Sequence, residues 1–106
     1  MEYCTTRTGP AVTLKIRGEL DAVTVDDIRG EFDEIVVTGG DRVVVDLSGL
    51  RLVDSLGVRA LISIFRRVTA EGRRCEMVGV QGQPSLIFDL LRLERFFATQ
   101  GCSAAT

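Results

Sequence analysis

The chain contains no histidine. That absence removes the Ser-His and Cys-His nucleophilic arrangements and the commonest metal ligand together. Carboxylate pairs remain, so acid–base chemistry is not excluded, but few tools are left for it. Cysteine is scarce as well: Cys4, Cys75 and Cys102 are odd in number and widely separated. They have neither metal-ligand spacing nor the density of a disulfide scaffold, and a reducing cytoplasm is the simplest expectation. No apolar run approaches the ~20 residues that span a bilayer. Met1-Glu2-Tyr3-Cys4 is not a charged segment leading into an apolar one, so neither a membrane span nor a secretory signal is expected. Positive charge is not in excess either. Thirteen basic residues face 15 acidic ones, for a formal net charge of -2, which argues against nucleic acid as the main partner.

What is present fits one domain. A chain of 106 residues with 45% apolar content can bury a core without metals or disulfides. The expected organisation is a single domain over 1–106, with its core at about 2–98 and a loosely held tail over 100–106.

Hydrophobic periodicity supplies the elements. A weak strand at Glu2 to Arg7 precedes a turn at Thr8-Gly9-Pro10. Val12, Leu14 and Ile16 then alternate with Thr13, Lys15 and Arg17, the period of a strand with one buried face. From Val25 the spacing changes to three and four, through Ile28, Phe32 and Ile35. This predicts an amphipathic helix with Thr24 as N-cap, acids in its first turn and Gly39-Gly40 at its end. Val43-Val44-Val45, leading into Asp46-Leu47, predicts a central strand buried on both faces. Val58, Leu61, Ile62, Phe65 and Val68 mark a second helix, closed by Gly72. Cys75 to Val80 is another short strand. Pro84 suits the first turn of a third helix whose apolar face would be Leu86, Ile87, Leu90, Leu91 and Leu93, with Phe96 and Phe97 packing back on the core. The order β-β-α-β-α-β-α implies an α/β fold with a mixed, mostly parallel sheet of four to five strands and three main helices.

The stretch from Asp46 to Val58 joins the central strand to the second helix, where α/β proteins place functional residues. On spacing alone, Asp54-Ser55 reads first as a helix cap, since Ser and Asp are preferred there. Asp46 and Ser48 read as organisers of a turn through bonds to the backbone. Asp21 reads equally as a turn residue or a partner contact. Arg66, Arg67, Arg73 and Arg74 fit a solvated helix end and strand entrance. Gly79-Val80-Gln81-Gly82 occupies a place where phosphate loops occur but lacks the Walker lysine and the dinucleotide glycine spacing.

Taken whole, the pattern resembles the STAS family, and within it the single-domain anti-sigma factor antagonists. The residues that carry the likeness are Gly18-Glu19-Leu20-Asp21, Asp46-Leu47-Ser48, Val53-Asp54-Ser55-Leu56-Gly57 and Pro84-Ser85-Leu86-Ile87-Phe88-Asp89-Leu90. It extends from about Val12 to Phe97. The resemblance implies a binding module and not an enzyme, with no cofactor and no metal. Its unphosphorylated form would bind an anti-sigma factor that is also a serine kinase, and so release a sigma factor. It implies Ser55 as phosphoacceptor, Asp21, Asp54, Leu56 and Gly57 as partner-binding residues, a PP2C-type phosphatase as second partner, and a monomer. The position after the serine is commonly Ser or Thr in the antagonists. Here it is Leu56, which leaves one candidate hydroxyl beside Asp54. The competing expectations are a STAS scaffold or transport-complex subunit and, from another class, a small nucleotide-binding protein. A Cys75–Cys102 disulfide acting as a redox switch is a further possibility that spacing does not settle.

Overall fold

Alternation along one strand sets the sheet. In the computed structural model, which describes residues 1–92, Val12, Leu14 and Ile16 point inward from β2 (Ala11–Leu20) while Lys15 and Arg17 stay exposed. β1 (Glu2–Thr8) pairs with it as an antiparallel hairpin, Thr8 opposite Ala11, through a turn in which Gly9 adopts φ 61. β3 (Arg42–Val53) and β4 (Arg74–Val78) add in parallel, giving a four-stranded sheet of order β1-β2-β3-β4. With α1 (Val25–Thr38), α2 (Ser55–Ala70) and α3 (Gly82–Leu90), the order is β-β-α-β-α-β-α, as the periodicity predicts. Ile28, Phe32 and Ile35 of α1 and Val58, Leu61, Ile64 and Val68 of α2 share one core with Val12, Leu14, Val43, Val45 and Leu47.

The central strand departs from expectation in two respects. Val43, Val45 and Leu47 are buried, but Val44 and Asp46 on the other face are only half-buried. Their neighbours in register explain this: Val44 lies between Thr13 and Glu76, and Asp46 lies beside Lys15, so that face carries charge. The strand is also longer than its apolar run. Asp46-Leu47-Ser48, expected as a turn, lies inside β3, and the Ser48 amide donates to Asp46 Oδ1 at 2.9 Å. Lys15 pairs with Asp46 but Arg17 with Gly49, and Gly18 pairs with Leu50 but Glu19 with Leu52. β3 thus gains one residue on β2 at each step, as at a bulge. After Leu47 the buried positions fall at Leu50 and Val53, three apart.

Helix ends are closed by distinct devices. α2 ends in a Schellman arrangement, in which the Gly72 amide donates to Thr69 O at 3.0 Å, the Arg73 amide to Val68 O at 3.3 Å, and Gly72 adopts φ 76. α1 has no basic residue in its last turn. Arg73 supplies one from outside, donating through Nη1 to Val36 O and through Nε to Gly40 O, both at 2.6 Å. Its side chain is 15% exposed, so it is a clamp and not part of a solvated strand entrance. Arg67 likewise ties α2 to Asp33 of α1 at 2.8 Å.

α3 turns a different face to the core than its leucines predict. Pro84 and Phe88 are buried and Ile87 packs partly, while Leu86, Leu90 and Leu91 are exposed. In a segment so rich in apolar residues two stripes compete, and the one led by the larger Phe88 side chain faces inward. Leu93, Phe96, Phe97, Cys102 and the expected tail lie outside the described residues.

Candidate functional site

Two helix N-termini stand side by side beyond the ends of β2 and β3, and two aspartates build them. Asp21 Oδ1 accepts from the amides of Val23 at 2.9 Å and Thr24 at 3.0 Å. The Asp21 amide donates in return to Thr24 Oγ1 at 2.9 Å, and the Val25 amide donates to Asp21 O at 2.8 Å. This is a reciprocal capping box. Thr24 holds the expected N-cap position of α1, but at φ -81 and ψ -19 it makes no side-chain cap bond, and its hydroxyl donates back to Glu19 O at 3.0 Å. The carboxylate that closes the helix mouth is that of Asp21, three residues earlier. The donated Thr24 amide, helped by that of Val23, holds its carboxyl below the ordinary aspartate value against the opposing effect of desolvation.

Asp54 is the N-cap of α2, with extended backbone and Oδ1 accepting from the Gly57 amide at 2.9 Å. Its Oδ2 accepts from the Ala22 amide at 3.0 Å, and its own amide donates to Leu20 O at 3.2 Å. One carboxylate therefore closes α2 and joins it to the turn that opens α1.

These bonds place Ser55 as the first residue of α2, exposed, with Leu56 exposed beside it. Gly57 is buried and offers no side chain to a surface. A Cβ there would lie 2.7 Å from Val53 Cγ2 and press on the Leu20 carbonyl. Of the expected site residues, Asp21, Asp54, Ser55 and Leu56 are gathered on one end of the molecule, and Gly57 lies beneath them. Val23, 77% exposed, lies in the Asp21 turn of the same cluster.

A residue that motif spacing did not single out also supports this end. The Gln83 side chain accepts from the Val53 amide through Oε1 at 3.0 Å and donates to Val53 O through Nε2 at 3.1 Å. It takes the place of a neighbouring strand where β4 has already ended, and so fixes the backbone directly before Asp54-Ser55. The only signal in the sequence is a polar amide between Gly82 and the buried Pro84. Gln81 braces β3 further back, donating to Ser48 O at 2.9 Å.

Away from this end, burial pushes the Cys75 thiol up to about 12, with the Glu76 charge adding to the effect and Arg73 opposing it. Cys4 is exposed, and Cys102 is outside the described residues. Among the described residues no group of three or more His, Cys, Asp or Glu side chains could hold a metal ion, and no helix is long and apolar enough to cross a membrane.

Known proteins share this architecture. The sequence model of the STAS domain family matches residues 3–103. An anti-sigma factor antagonist from Mycobacterium paratuberculosis superposes with a TM-score of 0.82 at 19% identity, covering 91% of this chain and 81% of that one. The phosphorylated form of the Bacillus cell fate determinant SpoIIAA gives 0.71 at 19% identity, over 91% of this chain and 88% of that one. The STAS domain of an antisigma-factor antagonist from Rhodobacter sphaeroides gives 0.64 at 26% identity, over 74% of this chain and 85% of that one. No curated protein matches by sequence.

Proposed function

The chain belongs to the STAS domain family, and from that premise we propose that it is an anti-sigma factor antagonist controlled by phosphorylation of Ser55. In this reading the unmodified protein binds an anti-sigma factor that is also a serine kinase, and a sigma factor is released. The kinase transfers phosphate to Ser55, the complex separates, and a PP2C-type phosphatase restores the binding form. The protein itself is a cytoplasmic monomer and performs no catalysis. The observation that carries the proposal is the setting of Ser55, an exposed hydroxyl at the first position of α2, flanked by the Asp21 and Asp54 caps.

The geometry suits a switch that leaves the fold intact. Phosphate adds about -1.5 to -2 charges at neutral pH. The amides of a helix's first turn lack intrahelical acceptors and favour an anion, so α2 tolerates the modification. Both Asp54 oxygens are already engaged, by the Gly57 and Ala22 amides, and the cap need not open to admit the phosphate. The partner surface changes instead. A neutral hydroxyl beside exposed Leu56 and Val23 becomes a bulky dianion.

The test is incubation with candidate anti-sigma kinases and ATP, with phosphate mapped by mass spectrometry in the wild type and in Ser55→Ala. Phosphate confined to Ser55, with binding lost on modification, is the expected result. Binding without phosphate would favour a scaffold role, and neither binding nor phosphate across the kinase set would sink the proposal.

A further inference from the structure

We propose that Arg59 is the counter-ion that receives a phosphate on Ser55, so that modification both adds a dianion to the partner surface and withdraws a cation from it. The proposal rests on the phosphorylation reading of Ser55 and adds the residue that answers the phosphate.

Ser55 opens α2 and Arg59 follows four residues later, one turn along the same face. Side chains so spaced have Cβ atoms about 5–6 Å apart, and an anion N-terminal to a cation is the favourable order. Helical side chains also lean toward the N-terminus, which carries the long arginine back over the Ser55 turn. Both residues are exposed.

Arg59 is uncommitted in the unmodified protein. It has no hydrogen-bond or ion-pair partner among the described residues, and the carboxylates across the groove are already occupied. Asp26 pairs with Arg29 at 3.0 Å and Asp33 with Arg67 at 2.8 Å. Asp54 accepts from Gly57 and Ala22, and Asp21 from Val23 and Thr24. The two acids that line the groove with Arg59, Asp26 and Asp33, thus each already hold another arginine.

Its position gives the pairing a consequence. Arg59 lines the groove between α1 and α2 together with Ala22, Asp26 and Leu56, the residue that follows Ser55 in the chain. Unpaired there, its guanidinium is available to a carboxylate of a bound protein. A phosphate on Ser55 outbids that carboxylate by charge and by proximity. Leu56 sharpens the effect, because it offers the phosphate no hydroxyl, so Arg59 and the helix amides receive it.

The experiment needs no kinase. Phosphoserine is inserted at position 55 during translation, and its second ionisation is followed by 31P NMR in wild type, Arg59→Ala and Arg59→Lys. The helix terminus, Asp21, Asp54, Asp26 and Arg29 act alike in all three proteins, so a difference reports on Arg59. In Arg59→Ala the phosphate should titrate about 0.3 pH units higher, the size expected of an exposed helical ion pair, and Arg59→Lys should recover part of that shift. High salt should shrink the difference. Superimposed titrations of wild type and Arg59→Ala would overturn the proposal. Arg59→Ala without phosphate should melt with the unmodified wild type, which separates the pairing from a general loss of stability. Because the phosphate is installed directly, a shifted titration stands even if every anti-sigma kinase ignores Ser55, and that second outcome would count only against the proposed function.

Discussion

The amide of Ala22 donates to Oδ2 of Asp54 at 3.0 Å, across 32 residues of sequence. The two helix mouths are therefore one structural unit. Asp54→Ala should remove the cap of α2 and leave the Ala22 amide without its acceptor, at a cost of about 1–2 kcal/mol. Asp54→Asn should fall between, because it keeps only one acceptor oxygen. Urea denaturation measures both, and an unchanged midpoint for Asp54→Ala would show that the bridge contributes nothing.

Gln83 makes a more local prediction. Its amide satisfies both backbone groups of Val53. Gln83→Glu retains an acceptor for the Val53 amide but loses the donor to its carbonyl, and Gln83→Ala loses both. Hydrogen exchange at Val53 should speed up mainly in Gln83→Ala, with a stability loss of about 1 kcal/mol. Equal protection of Val53 in all three proteins would remove Gln83 from the account.

Acid should loosen both the Asp21 turn and the Asp46 bond within β3. The Thr24 amide, with that of Val23, lowers the Asp21 carboxyl. At Asp46, burial acts to raise the carboxyl, but the Ser48 bonds and the Lys15 charge outweigh it and the net shift is downward. A folded value below the unfolded one contributes stability above the unfolded value of about 4, and that stability is lost as pH falls through the folded value. Urea midpoints should therefore drop below about pH 4, and Asp21→Asn should flatten that dependence. A mutant as acid-sensitive as wild type would place the effect elsewhere.

Cys75 should be inert in the native state. Its thiol is buried and pushed up to about 12, so almost none of it is thiolate at neutral pH. In Cys102→Ser, a thiol reagent should label Cys4 at once and Cys75 only after denaturant is added. Labelling of both at one rate would contradict the buried placement.

Gly57→Ala tests the close approach beneath Ser55. The added methyl would meet Val53 Cγ2 and the Leu20 carbonyl, at a cost of about 1–3 kcal/mol. An unaltered thermal midpoint would mean that α2 can shift to admit it.

How much of this was legible varied with the kind of signal. Element order followed from periodicity, because Val12–Ile16 and Val25–Ile35 each keep one period throughout. The likeness around Asp54-Ser55 pointed to the end of the molecule where the Asp21 turn and the Asp54 cap meet. Beyond Leu47 the alternation fails, because two extra residues in β3 reset which side faces the core, and a broken period reads as a turn. Thr24 is legible as the N-cap because it directly precedes the apolar spacing, whereas the side-chain bonds that close the helix mouth run to Asp21, which periodicity does not mark. The clamp made by Arg73, which reads as a solvated residue, and the role of Gln83 are not legible in the sequence, since their partners lie 33 and 30 residues away.

The added residues of β3 have an evolutionary corollary. Two insertions against β2 bring Leu50 and Val53 back to the interior and deliver the chain to α2 with Ser55 outward. The facing of that serine is metered by a residue count as well as by the Asp54 and Gln83 side chains that hold it. Between Asp46 and Asp54 a lineage can change letters more freely than it can change length, since a single deletion would turn the strand's end over and send the hydroxyl toward the core.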